Sequence, residues 1–282
     1  MEFRKSIYLS FYEDLPAKQA VEILTDAGFV YGEISEDHLR ELLQQGDPAE
    51  VGAQFGRFAK EHGISLTQGH LSFAKGDWMT SEKTVEKLKP ELTLYAALGV
   101  KNAVLHANGD DTLAPEVRYA RVVENVRKVA EFAGTLGITV CLENLMTTDY
   151  LRTADSMIQL IQDAGDKHLG ICLDTGHLHL CNAKGWVTYS QREFIHTAGS
   201  YLQAMHVVDN DGFGDTHQMP FSARYGVDWK EVMTALRDIR YPGLFNIECV
   251  GEQIAPLHIR RIKLDYISKM CDYMFTDEFL ED

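Results

Sequence analysis

Six apolar runs in this chain each end at a residue able to bind a metal, and no other feature constrains the fold as strongly. The central one covers 170–180, Gly170-Ile171-Cys172-Leu173-Asp174-Thr175-Gly176-His177-Leu178-His179-Leu180. An apolar stretch stops at Asp174 and gives way to a small turn and an imidazole. Continuous apolar runs are what strands buried on both faces require, so a ligand-type residue at the end of one is delivered into a pocket. The plan recurs at Val104-Leu105-His106, Val140-Cys141-Leu142-Glu143, Ala204-Met205-His206 and Phe245-Asn246-Ile247-Glu248, and His70 follows the run 64–69.

Helical patterns fill the intervals. Ala20, Val21, Ile23 and Leu24 recur at helical spacing in 16–27, which Gly28 stops. Further helices are expected over 36–45, 48–62, 81–98, 114–136, 154–164, 191–198, 229–239 and 255–273, the one at 229 capped by Asp228. Strands are expected over 6–10, 30–34, 64–69, 102–105, 139–142, 169–173, 202–205 and 244–247. Eight strand-then-helix units in 282 residues predict an α/β fold, a (βα)8 TIM barrel formed as a single domain over 1–282. Active sites of such barrels gather at the carboxyl ends of the strands, where His70, His106, Glu143, Asp174, His206 and Glu248 would converge. The connection 207–225 is long for a compact domain and reads as functional.

The formal charge of −15 and pI near 5.1 give no electrostatic support to a general affinity for nucleic acid or anionic membranes. No segment approaches the roughly 20 apolar residues of a membrane span, and the amino terminus lacks a signal-peptide pattern. The five cysteines, Cys141, Cys172, Cys181, Cys249 and Cys271, form no CxxC pair and read as buried thiols of a reducing compartment. The expected location is the cytoplasm.

With these residues placed, the chain resembles the xylose isomerase-like TIM barrel superfamily over nearly its whole length. The sugar phosphate isomerase/epimerase branch is matched through His206-Val207-Val208-Asp209-Asn210-Asp211-Gly212, Asp215-Thr216-His217 and Gly226-Val227-Asp228-Trp229. The resemblance implies a divalent metal held by Glu143, Asp174, His206 and Glu248. The set also resembles the apurinic endonuclease IV family, whose three-zinc site implies further ligands at His70, His106, His177, Asp215 and His217. The chain departs from the isomerase branch at Pro220-Phe221-Ser222-Ala223-Arg224, where a glycine-rich turn is usual, and from the endonuclease in lacking an evident basic set for DNA.

The leading expectation is therefore a metal-dependent sugar or sugar phosphate isomerase or epimerase, moving a proton next to a carbonyl with Glu143 and Glu248 as acid/base groups. The ion would be Mn, Zn, Co, Fe or Mg, chosen by a mixed carboxylate and imidazole set. Arg224, Arg260 and Arg261 are the cations that could meet a phosphate. The alternative is a metallohydrolase of phosphate esters or an endonuclease IV-like enzyme. The expected partner is a small sugar, with no membrane, nucleic acid disfavoured, and a homo-oligomer left open. Against these stand plainer readings: strand-end carboxylates in structural ion pairs, rim histidines that only orient neighbours, and solvated turn chemistry at Asp215 and His217. His179 falls past the turn and reads as structural. Phe73, Trp78, Phe213 and Phe221 are rim aromatics that could stack on a sugar face.

Overall fold

Eight parallel strands stand side by side in the order β7-β6-β5-β4-β3-β2-β1-β8. They are β1 (Arg4–Tyr8), β2 (Tyr31–Ile34), β3 (Ser65–His70), β4 (Asn102–Leu105), β5 (Thr139–Glu143), β6 (Leu169–Asp174), β7 (Leu202–His206) and β8 (Leu244–Ile247). The ring closes between β7 and β8 through one bridge, Val207 opposite Ile247, where Val207 N donates to Asn246 O (2.8 Å) and Glu248 N to Val207 O (3.2 Å). The structure, a computed structural model, describes residues 3–73 and 76–281. Met1, Glu2, Ala74, Lys75 and Asp282, all included in the domain expected over 1–282, lie outside the described residues.

The helices around the sheet are α1 (Ala17–Asp26), α2 (Glu36–Leu43), α3 (Pro48–Glu61), α4 (Glu82–Leu98), α5 (Pro115–Thr135), α6 (Ala154–Ala164), α7 (Thr175–Ala183), α8 (Gln191–Ala198), α9 (Trp229–Asp238), α10 (Leu257–Met274) and α11 (Glu278–Glu281). Their starts follow local chemistry. Asp47 accepts from Ala49 N and Glu50 N ahead of Pro48, Ser190 and Glu193 form a reciprocal capping box, and Asp228 accepts from Glu231 N. No helix among the described residues is long and apolar enough to cross a membrane. All five cysteines are buried and free.

Two expectations need correction. The first strand is not 6–10 but Arg4–Tyr8, because Leu9–Tyr12 coils into a short 3-10 turn. The segment after Asp174 is not a simple turn: Asp174 accepts from His177 N at 2.6 Å and so caps α7, which carries both His177 and His179.

The long connection after β7 is built on Asp209. Its backbone pairs with Gln218, and its buried carboxylate accepts from Asn210 N (2.9 Å), Phe221 N (3.1 Å), Val227 N (3.0 Å) and Trp229 Nε1 (3.3 Å). Gly226 has to be glycine for this packing, since a Cβ there would lie 2.1 Å from Asp209 Oδ1. Asp209→Ala strands several buried donors, each worth about 1 to 3 kcal/mol when unpaired. We expect urea unfolding to show a loss of roughly 2 to 4 kcal/mol by that reckoning; a change near zero would mean that the loop does not depend on this carboxylate.

Candidate active site

The strand ends converge. Glu143 and Asp174 are the last residues of β5 and β6, and His70 and His206 the last of β3 and β7. His106 and Glu248 follow β4 and β8 directly. Register fixes the neighbours, placing Asp174 opposite His206 across the β6–β7 ladder. Gly69 lets the Tyr95 ring lie against β3, where a Cβ would meet it at 2.7 Å, and Tyr95 Oη donates to His70 O at 2.5 Å.

Glu143 is the hub. Its Oε2 lies 2.9 Å from His106 Nε2, 3.3 Å from His70 Nε2 and 3.4 Å from His206 Nδ1, while Oε1 lies 3.3 Å from His177 Nδ1. His206 Nδ1 is 2.9 Å from Glu248 Oε2, and Glu248 Oε1 is 3.5 Å from His217 Nδ1. Asp215 Oδ2 joins the two loop-side histidines, 3.2 Å from His177 Nε2 and 3.4 Å from His217 Nε2. All nine candidate residues therefore form one contiguous cluster, from His70 to Glu248. His217 takes a left-handed backbone, φ 44°, a strain held by the loop around it.

Orientation comes from outside the cluster. His70 Nδ1 donates to Leu71 O (2.8 Å) and His177 Nδ1 to Asn144 O (2.8 Å), which turns each Nε2 inward. Asn144 also clamps Asp174, accepting from Asp174 N (2.6 Å) and donating to Asp174 O (2.9 Å). Asn144 and Glu33 escaped the sequence reading. Their signals were the Glu143-Asn144 pair and a lone acid in the run 30–34.

Burial opposes every charge here, and the neighbours decide the outcome. It raises Asp174 to about 6 against the pull of His177. It works the same way on Glu248, yet His206 and His217 outweigh it and hold that carboxyl at about 2. It would lower His217, but Asp215 and Glu248 lift the imidazole to about 9. Among the described residues the buried Asp174 Oδ2 has no hydrogen-bond partner, and His206 Nδ1 meets only carboxylates, Glu248 Oε2 at 2.9 Å and Glu143 Oε2 at 3.4 Å. Together Asp174, His206 and Glu248 offer ligand atoms within 4.8 Å of one another, a donor set that could hold a divalent cation.

His177, Asp215 and His217 form a second group of the same compactness. If it binds an ion of its own, zinc-loaded protein will carry more than one ion per chain, and alanine at any of the three will remove one. Unchanged zinc content in all three variants would leave these residues orienting roles only.

The remaining candidates separate. Phe73 lies over the cluster, its ring 4.0 Å from that of His106 and 5.0 Å from that of His70. Tyr8, unforeseen, stacks on His206 at 5.9 Å. Phe213 is exposed, Phe221 packs on Trp229 and Phe279, and His179 is not part of the cluster. The three arginines are engaged elsewhere: Arg260 is buried against Asp14, Phe11 O and Gly251 O, Arg261 lies 3.9 Å from Asp26, and Arg224 lies over Tyr225.

A closed ring of eight parallel strands with an acid- and histidine-lined mouth defines a TIM barrel with a metal-type pocket at its carboxyl-end face. The chain belongs to the xylose isomerase-like TIM barrel family, which matches residues 21–269. It is similar to the D-psicose 3-epimerase of Agrobacterium fabrum, 28% identical over 262 residues that cover 87% of this chain and 84% of that protein. Another D-psicose 3-epimerase, from Ruminiclostridium cellulolyticum, is 26% identical over 66% of this chain and 63% of its own length. In fold it is similar to a D-psicose 3-epimerase crystallised in the presence of D-fructose, with a TM-score of 0.78 at 22% identity over 97% of this chain and 99% of that one. An L-ribulose 3-epimerase superposes with a TM-score of 0.76 at 20% identity, over 97% and 95% of the two chains.

Proposed function

We propose that this protein is a divalent-metal-dependent sugar epimerase that inverts the carbon next to a ketose carbonyl, with Glu143 and Glu248 as its acid/base pair. Kinship with sugar 3-epimerases supports the broader class, an isomerase or epimerase of sugars. The observation that carries the metal reading is that Asp174, His206 and Glu248 bring ligand atoms within 4.8 Å of one another, with Asp174 Oδ2 buried and unpartnered among the described residues beside the close pair His206 Nδ1 and Glu248 Oε2. A buried polar atom left unpaired costs about 1 to 3 kcal/mol, and one cation between these three residues would satisfy Asp174 Oδ2. Glu143 is the fourth ligand in this reading.

When bound, the ion polarises the ketose carbonyl and offsets the charge of the enediolate formed by deprotonation. The chain does the rest. Glu143 and Glu248 approach the same His206 nitrogen, at 3.4 and 2.9 Å, so both reach one substrate carbon region. One carboxylate takes the proton from one face and the other returns a proton to the opposite face, which inverts the centre. His70 and His106 hold Glu143 in place, and Phe73 forms an apolar wall over them.

A free ketose suits the site better than a phosphorylated one. Among the described residues the ion pairs of Glu143, Asp174, Asp215 and Glu248 are all with histidines, and of the arginines that might have met a phosphate Arg260 is held by Asp14 and Arg261 lies 3.9 Å from Asp26. The hydrolase alternative shares the ligand set but has neither epimerase kinship nor, at a charge of −15, a surface suited to DNA.

The test is proton exchange. Metal-loaded protein in D2O, offered free and phosphorylated ketoses, should exchange the C3 proton of a free ketose and release its C3 epimer, both read by NMR. Absence of exchange with every ketose, together with cleavage of abasic DNA in zinc, would reverse the assignment.

A further inference from the structure

Beneath the cluster, a carboxylate sits where a barrel interior is ordinarily filled by branched apolar side chains. Glu33 lies on β2, fully buried, and no lysine or arginine among the described residues pairs with it. Its Oε2 accepts from Asn246 Nδ2 (2.5 Å) and Gln68 Nε2 (2.9 Å) and lies 3.1 Å from His206 Nε2, with Oε1 3.3 Å from the same nitrogen. Asn246 is fixed in turn, because Ser6 Oγ donates to its Oδ1 at 2.7 Å. Residues from β1, β2, β3, β7 and β8 thus form one polar floor around a single acid.

We propose that Glu33 is the positioning residue that makes His206 a ligand. A carboxylate only accepts, so the Glu33 contact holds a proton on His206 Nε2, which leaves Nδ1, 2.9 Å from Glu248 Oε2, as the nitrogen whose lone pair would meet an ion shared with Asp174 and Glu248. The inference rests on the metal reading given above. Glutamine is the decisive replacement because it has the same shape and the wrong donors. Asn246 and Gln68 both present N–H groups, so they hold the new amide oxygen on their side and turn its NH2 toward His206. His206 Nε2 then keeps the amide oxygen at the Oε2 position, 3.1 Å away, but meets an N–H at the Oε1 position, 3.3 Å away, and loses the negative charge that held its proton, so Nδ1 is presented less firmly as a ligand. The opposite amide orientation sets N–H against N–H at Asn246 and Gln68.

The experiment is Mn2+ binding to the full chain, measured by chelator competition on wild type, Glu33→Gln, His206→Ala and the double variant. Loss of a partner that orients a ligating histidine typically lowers metal affinity 10- to 100-fold, and Glu33→Gln should show a drop of that order. In the His206→Ala background the same change should have almost no effect, since the residue it acts through is gone. Equal affinity of Glu33→Gln and wild type overturns the proposal. So does a drop of the same size in both backgrounds, which would make Glu33 a source of field and not of orientation. Should Glu33→Gln fail to fold by circular dichroism, Glu33→Asp keeps the charge and withdraws it from His206; it should also bind Mn2+ more weakly, and wild-type affinity there overturns the proposal. Wild-type protein that binds no Mn2+ refutes the metal reading itself, a result distinct from bound metal that is indifferent to Glu33.

Discussion

Glu143→Gln and Glu248→Gln should each reduce C3 proton exchange by about 10²- to 10⁴-fold, the usual worth of a general acid or base. An amide cannot take the proton, while its size matches that of the carboxylate it replaces. The two variants should differ in a second respect. Glu143 touches four imidazoles, His70, His106, His177 and His206, so its neutral replacement removes the acceptor that organises them. Glu248 touches His206 and His217 only. Metal content must therefore be measured beside the rate, because loss of the ion would report ligation and not proton transfer. If metal-replete Glu143→Gln and Glu248→Gln both exchange at the wild-type rate, the acid/base roles belong to other groups.

Removing the ion should have an effect as large. Chelator-treated protein should lose exchange completely and recover it when a divalent metal is restored. The same treatment should lower Tm. A ligand at a thousandfold excess over its Kd stabilises by about 4 kcal/mol, which for a chain of this length is roughly 7 °C. Acid should act in the same direction as the chelator, since protons compete for the same atoms: Asp174, lifted by burial to about 6, is the first of the carboxylates to take one as pH falls. Activity and Tm that ignore a strong chelator would argue against a metal at these residues.

What could be read in the sequence was whatever a local pattern fixes. The buried strands announced themselves as apolar runs, and an acid or imidazole at the end of such a run has few places to go but the mouth of the barrel; hence Glu143, Asp174, His206 and Glu248 could be placed together. The helix start at Asp228 was visible because a cap needs only its own next three residues. The floor could not be read. Glu33 occurs in Val30-Tyr31-Gly32-Glu33-Ile34, where alternation could equally put the acid in solvent, and only closure of the sheet brings it to His206, 173 residues away. The helix α7 was hidden by Gly176, which reads as a turn; here a Cβ would strike Val208 at 2.8 Å, so that glycine serves close packing and not a bend. Arg260 misled for the opposite reason. A cation near the end of the chain looks available for phosphate until tertiary structure shows Asp14 already holding it.

Among the described residues one bridge, Val207 opposite Ile247, is the only backbone pairing of the last strand with the seventh, and its hydrogen bonds run through Asn246 and Glu248. His206 and Glu248 thus stand on opposite banks of the thinnest seam in the wall. An ion held by both would be a clasp across that seam as well as a reagent, and would tie β8, otherwise secured along β1, to the far edge of the sheet. Loading the mouth would then also tighten the seam that closes the ring.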